Sequence, residues 1–286
     1  MRTSTILRKL IENGETTVAP GVYDGISAQL VEQAGFAAVY ASGGAISRAA
    51  GMPDLGLLGM SEVVDRLENI VDATALPVIA DADTGYGNAL NVQRMVRAFE
   101  RAGVAGFHLE DQQFPKRCGH YDDKSLVPVK EMAQKIRAAR DASTDPDLVI
   151  IARTDALAVE GFEAAIDRAG AYREAGADVL FVEAPQTEEQ IAEISKRLPY
   201  PKLINMFEGG KTPLMPEARL RELGYAIVII PSDLQRAALF AMRETLAAIR
   251  RDGSSAALRE RLLSFKQREL VVGTAAYLER DKSYAG

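Results

Sequence analysis

Acidic side chains recur at the carboxyl ends of short apolar runs in this chain. Asp81 and Asp83 end PVIADA and its turn, His108, Glu110 and Asp111 end GFHLED, Arg153, Thr154 and Asp155 end LVIIART, and Glu183 lies in VLFVEA. Side chains alternate along an extended run, so Asp81 and Asp83 are expected on one face, and His108 and Glu110 likewise. Acids converging from several runs repel one another unless a cation lies among them, and hard oxygen ligands with retained waters suit Mg²⁺ better than Zn²⁺ or a soft metal. The expected metal site is Asp81, with Asp83, Glu110 and Asp54 around it. Such acids can also cap following helices, but capping does not call for acids after three separate runs at once.

A second group is Lys116-Arg117-Cys118-Gly119-His120, in a polar loop that begins at Pro115. Two cations and a histidine beside the chain's single cysteine would lower the thiol pKa and poise it for proton transfer. A lone cysteine is more commonly a small buried hydrophobe, which suits so polar a loop poorly. Ser42-Gly43-Gly44, after Tyr40-Ala41, offers backbone N–H groups to a carboxylate, although a glycine pair often only makes a turn. Arg153 and Arg236 could each clamp a carboxylate through a fork of donors, and Arg153 has the better position at the end of a run.

The elements that must position these groups alternate. Apolar, β-branched runs at 17–22, 37–42, 77–82, 106–111, 148–154, 179–184, 202–207 and 226–231 are separated by stretches at 61–74, 88–102, 130–142, 160–175, 187–197 and 233–250 with apolar residues at three- and four-residue spacing. Asp24, Ser61 and Thr187 are the expected helix caps, and Gly35, Gly103, Gly176 and Gly224 the expected helix exits. The pattern predicts one α/β domain over 1–286, a single (β/α)₈ TIM barrel, a fold that runs to roughly 250 residues. A doubly wound sheet would carry a glycine-rich phosphate loop after its first strand, where this chain has GVYDGIS. Function is then expected at the carboxyl ends of the strands, where the polar residues lie.

Composition excludes other classes. Hydrophobic residues are 47% and charged residues 26%, which excludes disorder, and a net charge of −6 argues against a nucleic-acid partner. The opening MRTSTILRKLIENGE has no apolar targeting core, and no uncharged run approaches the ~18 residues of a membrane span. With one cysteine and no possible intrachain disulfide, a soluble cytoplasmic protein without membrane association is expected.

The segments YASGG, GMPDLG, DADTGYGN, HLEDQ, KRCGH, ARTDALAVEG, FVEAP and NMFEGGKTP together resemble the isocitrate lyase and phosphoenolpyruvate mutase superfamily, and within it most the short methylisocitrate lyases. The resemblance covers nearly the whole chain, and KRCGH is its most specific part. It implies a barrel whose C-terminal helix, within 232–286, is swapped between subunits, a homotetramer built as a dimer of dimers, and a mobile loop carrying the cysteine. It implies Asp81 as the direct ligand of Mg²⁺, for which Mn²⁺ can substitute, with Asp54, Asp83 and Glu110 holding its waters. Tyr40 would lie next to the reacting hydroxyl and Cys118 would be the general acid. His120, Gly119 and Arg153 would lie beside the substrate, Glu183 and Asn205 would complete the pocket, and Ser42, Gly43, Gly44 and Arg236 would bind the substrate's arms.

The implied reaction is retro-aldol, Claisen-type cleavage of a small 2-hydroxy acid to a 2-keto acid and a second carboxylic acid, foremost 2-methylisocitrate to pyruvate and succinate. Gly209-Gly210 departs from the methylisocitrate lyase pattern and resembles the dimethylmalate lyase and oxaloacetate hydrolase branches. Pro231 stands where oxaloacetate hydrolases carry a serine, which favours a lyase over a hydrolase, with Ser232 next to it. A mutase acting on a phosphorus–carbon bond ranks behind these, and a non-catalytic ligand-binding barrel is the reading of another class.

Overall fold

The computed structural model describes residues 1–117, 119 and 123–285. Cys118 and His120 lie outside the described residues. The chain runs α1 (Thr3–Glu12), β1 (Thr17–Val22), α2 (Gly25–Gln33), β2 (Val39–Ala41), α3 (Gly43–Ala49), α4 (Met60–Asp72), β3 (Val78–Asp81), α5 (Ala89–Ala102), β4 (Gly106–Glu110) and α6 (Val129–Ala142). It continues β5 (Val149–Thr154), α7 (Ala156–Val159), α8 (Phe162–Glu174), β6 (Val179–Val182), α9 (Glu188–Arg197), β7 (Lys202–Asn205), α10 (Glu217–Glu222) and β8 (Tyr225–Ile230). After β8 come α11 (Asp233–Asp252), a 3₁₀ segment (Ala256–Arg261), α12 (Phe265–Val271) and α13 (Thr274–Tyr284).

Among the described residues the strands close a parallel barrel in sequence order, β8 returning to β1 from Thr17↔Ile227 to Pro20↔Ile230. Alternation along each strand separates two apolar layers. Tyr40, Ile79, Ile151, Phe181 and Ile227 fill the barrel, while Val39, Val78, Phe107, Leu109 and Ile150 pack outward against Met95, Phe99, Ile136 and Tyr172 of the surrounding helices. The opening segment, read in the sequence only for a targeting signal, is α1. It places the fully buried Leu7 at the barrel's amino-terminal end, a contribution of about 1.5–3 kcal/mol by burial. Arg8 to Asp178 at 3.3 Å and Ser4 to Asp145 at 2.6 Å fasten its polar side.

Asp24 and Thr187 cap α2 and α9 as expected, accepting from Ser27 N at 2.8 Å and Gln190 N at 3.2 Å. Ser61 does not cap α4. The N-cap is Gly59, whose N–H donates to the Glu62 carboxylate at 2.8 Å, so the acid one turn in does the work expected of the serine. Gly35, Gly103, Gly176 and Gly224 all take the left-handed conformation expected at helix exits.

The C-terminal segment differs from the rest. α11 buries only Gln235 and Ala248, leaving Phe240 59% and Leu246 65% exposed, and α12 and α13 bury nothing. No helix among the described residues is long and apolar enough to cross a membrane.

Candidate active site

Strand register builds the site. Asp81 pairs with His108 and Glu110 with Arg153, so two acids and their partners stand side by side at the carboxyl end of the barrel. His108 Nε2 lies 3.3 Å from Asp81 Oδ1 and 2.8 Å from the Tyr40 hydroxyl, which donates to Asp81 Oδ2 at 3.2 Å. With His108 Nε2 protonated, the chain of donation runs from His108 to Tyr40 to Asp81. Burial is the main reason His108 is pushed down to about 4 and Tyr40 well above the ordinary phenol value, so both are uncharged at neutral pH. Gly43 is required beside them, because a β-carbon there would lie 2.6 Å from Asp81 Oδ2.

One ligand atom from each of Asp81, His108 and Glu110 can be chosen so that all lie within 4.8 Å of one another. Burial pushes Glu110 well above the usual carboxylate range despite Arg153 nearby, and its Oε1 is buried with no hydrogen-bond partner. Burial also raises Asp81, but the positive charge that His108 takes on in acid, the charge of Lys116 and the Asp83 N–H outweigh it and bring the group down to about 2. Among the described residues the buried cluster sets Asp54, Asp81, Glu110, Asp155 and Glu183 against Lys116, Lys124 and Arg153. An excess of buried acids, an orphaned carboxylate oxygen and an all-oxygen set from Asp81 and Glu110 fit a hard divalent cation. The imidazole of His108 is already engaged with Tyr40 and Asp81, so it supports that set from behind.

Asp83 is not placed beside Asp81 by strand alternation. β3 ends at Asp81, and Asp83 takes a left-handed conformation, φ 47°, with its N–H donating to Asp81 Oδ1 at 3.0 Å. Burial pushes its carboxyl up to about 6 even with Lys116 at 2.8 Å. Lys116 also meets Asp54, so this lysine, expected to act on the neighbouring thiol, has its ammonium among the acids around Asp81.

Arg153 is held on three sides, by Asp155 at 2.9 and 3.1 Å, by Glu110 at 3.3 Å and by Glu183 at 3.7 Å, with its guanidinium 5.2 Å from the Phe181 ring centre. Asp155 also receives Lys124 at 2.8 Å, and Lys124 donates to the Gly119 carbonyl at 2.5 Å. Behind it the fully buried Asp111 accepts from Asp155 N at 3.0 Å, Thr154 Oγ1 at 2.7 Å and Tyr172 OH at 2.8 Å, with Arg168 3.4 Å away. These contacts fix the end of β5, and thereby Arg153. A β-carbon on Gly119 would collide with the Glu183 carboxylate and the Arg153 guanidinium.

A cavity of about 260 Å³ opens above this cluster. Tyr40, Ser42, Gly44, Asp54, Asp81, Gly119, Arg153, Glu183, Asn205 and Arg236 all line it, with Phe207, Pro231 and Leu239 as its apolar wall. Asn205 donates to Glu183 at 3.3 Å. Ser42 caps α3, accepting from Ala45 N at 3.3 Å. Arg236 stands at the rim, bound to the Glu208 carbonyl at 2.5 Å and Asp233 at 3.2 Å. Lys124 and Gln235 escaped the sequence reading: one follows the loop like any surface lysine, and the other's only signal is its place near the start of α11, where it donates to Ala45 O at 2.8 Å.

A barrel with acids and cations gathered in this way at its carboxyl end defines a class, and comparison with known proteins identifies it. The family profile described as phosphoenolpyruvate phosphomutase matches residues 7–250. The chain is 43% identical over 286 residues to a 2,3-dimethylmalate lyase of Eubacterium barkeri, covering 100% of this chain and 99% of the relative. It is 44% identical over 280 residues to a 2-methylisocitrate lyase of Aeropyrum pernix, covering 98% and 90%. The crystal structure of a 2,3-dimethylmalate lyase superposes with a TM-score of 0.94 at 38% identity, covering 100% of this chain and 96% of that one. A phosphonopyruvate hydrolase in complex with oxalate and Mg²⁺ superposes with a TM-score of 0.92 at 34% identity, covering 100% of both. The chain belongs to the phosphoenolpyruvate mutase/isocitrate lyase superfamily. Within that superfamily it is a carbon–carbon lyase of the methylisocitrate lyase kind, in line with the two sequence relatives, a 2,3-dimethylmalate lyase and a 2-methylisocitrate lyase.

Proposed function

We propose that the protein is a Mg²⁺-dependent carbon–carbon lyase that cleaves 2-methylisocitrate to pyruvate and succinate. The observation that carries this reading is Asp81 in the lining of a cavity walled by Arg153, Asn205 and the apolar Phe207, Pro231 and Leu239, with the orphaned, buried Glu110 carboxylate close to it beneath. Asp81 and Glu110, with Asp54 and Asp83 around them, would hold the ion, and Mn²⁺ would serve in its place. When bound, Mg²⁺ supplies Lewis acidity that lowers the pKa of the substrate's 2-hydroxyl.

The chain's own residues do the rest. Arg153 takes one carboxylate of the substrate, and the amides of Gly43 and Gly44 another. Tyr40 orients the hydroxyl, and because His108 Nε2 already carries its proton, the hydroxyl proton leaves through the phenol along the bond that Tyr40 donates to Asp81 Oδ2. As the carbon–carbon bond breaks, its electron pair moves onto the departing carboxylate, giving a dianion that Arg153 and Asn205 steady. Cys118 then protonates the carbanionic carbon, with His120 alongside. Gly119 brings this loop against Arg153 and Glu183.

The dimethylmalate reading is second, favoured by Gly209-Gly210 and by the full-length match to a 2,3-dimethylmalate lyase. The test is keto-acid release with Mg²⁺ from 2-methylisocitrate, 2,3-dimethylmalate and oxaloacetate, with the co-product identified. Succinate supports the main reading, propionate the second, and oxalate with acetate a hydrolase. The exposed apolar residues of α11 to α13 support a homotetramer in which 232–286 crosses to a neighbouring subunit, and the single cysteine fits a cytoplasmic location.

A further inference from the structure

Five cations line the cavity, Arg48, Lys116, Arg117, Arg153 and Arg236, and they differ in what balances them. Lys116 faces Asp54 and Asp83, Arg153 faces Asp155, Glu110 and Glu183, Arg236 faces Asp233 and Arg117 faces Asp123. Arg48, near the end of α3, is exposed, and its side chain has no hydrogen bond or ion pair among the described residues. Its Nη1 reaches back over Gly44, to 2.8 Å from where a β-carbon would stand, and Asp54 Oδ2 lies 2.9 Å from the same point. The missing side chain of Gly44 thus leaves the space through which this guanidinium reaches the cavity.

We propose that Arg48 is a specificity-determining residue, receiving the third carboxylate of a tricarboxylic substrate. A dicarboxylic hydroxy acid has its two carboxylates satisfied at Arg153 and at the Ser42-Gly43-Gly44 turn. A third carboxylate would find Arg153 taken by the first, Lys116 buried between Asp54 and Asp83, and Arg236 tied to Asp233 and the Glu208 carbonyl, so it enters at a steep cost without a counter-charge of its own. Arg48 offers that charge with a forked set of donors, and no internal ion pair has to break first. The inference rests on the lyase reading, whose tricarboxylic form it explains.

Arg48→Gln and Arg48→Lys alter an exposed side chain and leave the buried cluster intact. The Mg²⁺-loaded proteins are titrated calorimetrically with tricarballylate, which has three carboxylates, and glutarate, which has two. Losing a charge-assisted pair weakens tricarballylate binding to Arg48→Gln by about 10- to 100-fold, with glutarate within about threefold and Arg48→Lys between. In turnover, the loss falls on the KM for 2-methylisocitrate and spares kcat. Equal weakening of both ligands, no weakening of either, or no tricarballylate binding by the unaltered protein overturns the proposal. Should the unaltered protein cleave none of the hydroxy acids, the lyase reading fails, while the contrast between the two ligands still decides the role of Arg48.

Discussion

Asp81 is the side chain on which the metal reading turns, since it meets His108, Tyr40 and the Asp83 amide at once. Asp81→Ala is expected to abolish Mg²⁺-dependent turnover and the calorimetric signal of Mg²⁺ binding. Binding at unaltered strength would put the ion elsewhere. Cys118→Ser is expected to leave Mg²⁺ and product binding intact while turnover falls at least ~10²-fold, the loss typical of a general acid. Unchanged turnover would remove the thiol from the chemistry. Gly119→Ala places a methyl group between Glu183 and Arg153. Displacing a substrate-binding cation by about 1 Å can cost on the order of 10²-fold, so kcat/KM should drop to that extent while the melting temperature barely moves. A variant with normal kcat/KM would show that Arg153 does not hold the substrate.

At the scale of elements, Lys202 at the start of β7 donates to Leu198 O at 3.1 Å and Tyr200 O at 2.9 Å, beyond the end of α9. Burial pushes it down to about 8 from 10.5. Between those values the unfolded chain binds more protons than the folded one, so this group makes stability rise as pH rises. Urea unfolding of the wild type and Lys202→Met at pH 7.5 and at pH 10 should therefore give a stability difference that shifts toward the wild type at the higher pH. A difference that does not change with pH would show that Lys202 titrates normally. The strands were legible because alternating burial writes itself into residue order, and β1 falls on 17–22 as read. Polar turns such as the one after Asp81 were less so, because a left-handed residue like Asp83 ends alternation without altering composition. Lys116 with Asp54 and Lys124 with Asp155 join residues 62 and 31 positions apart, and such pairs exist only once the barrel closes. α1 was hidden for a related reason: its one deeply placed apolar residue, Leu7, has its partners on strands far along the chain.

At the scale of the molecule, the barrel is sealed by α1 at one end and by the charged cluster at the other, while α11 to α13 present apolar side chains outward. Sedimentation should give a tetramer, and Phe240→Glu with Leu246→Glu should yield a smaller species. A monomeric wild type would refute the exchanged-helix assembly. Those outward side chains also bear on heat resistance. Association that occurs only between folded chains adds to stability by mass action. The midpoint of thermal unfolding should therefore climb as the protein is concentrated, and an enzyme that survives heating in a crowded cell extract can lose activity when diluted for assay at the same temperature.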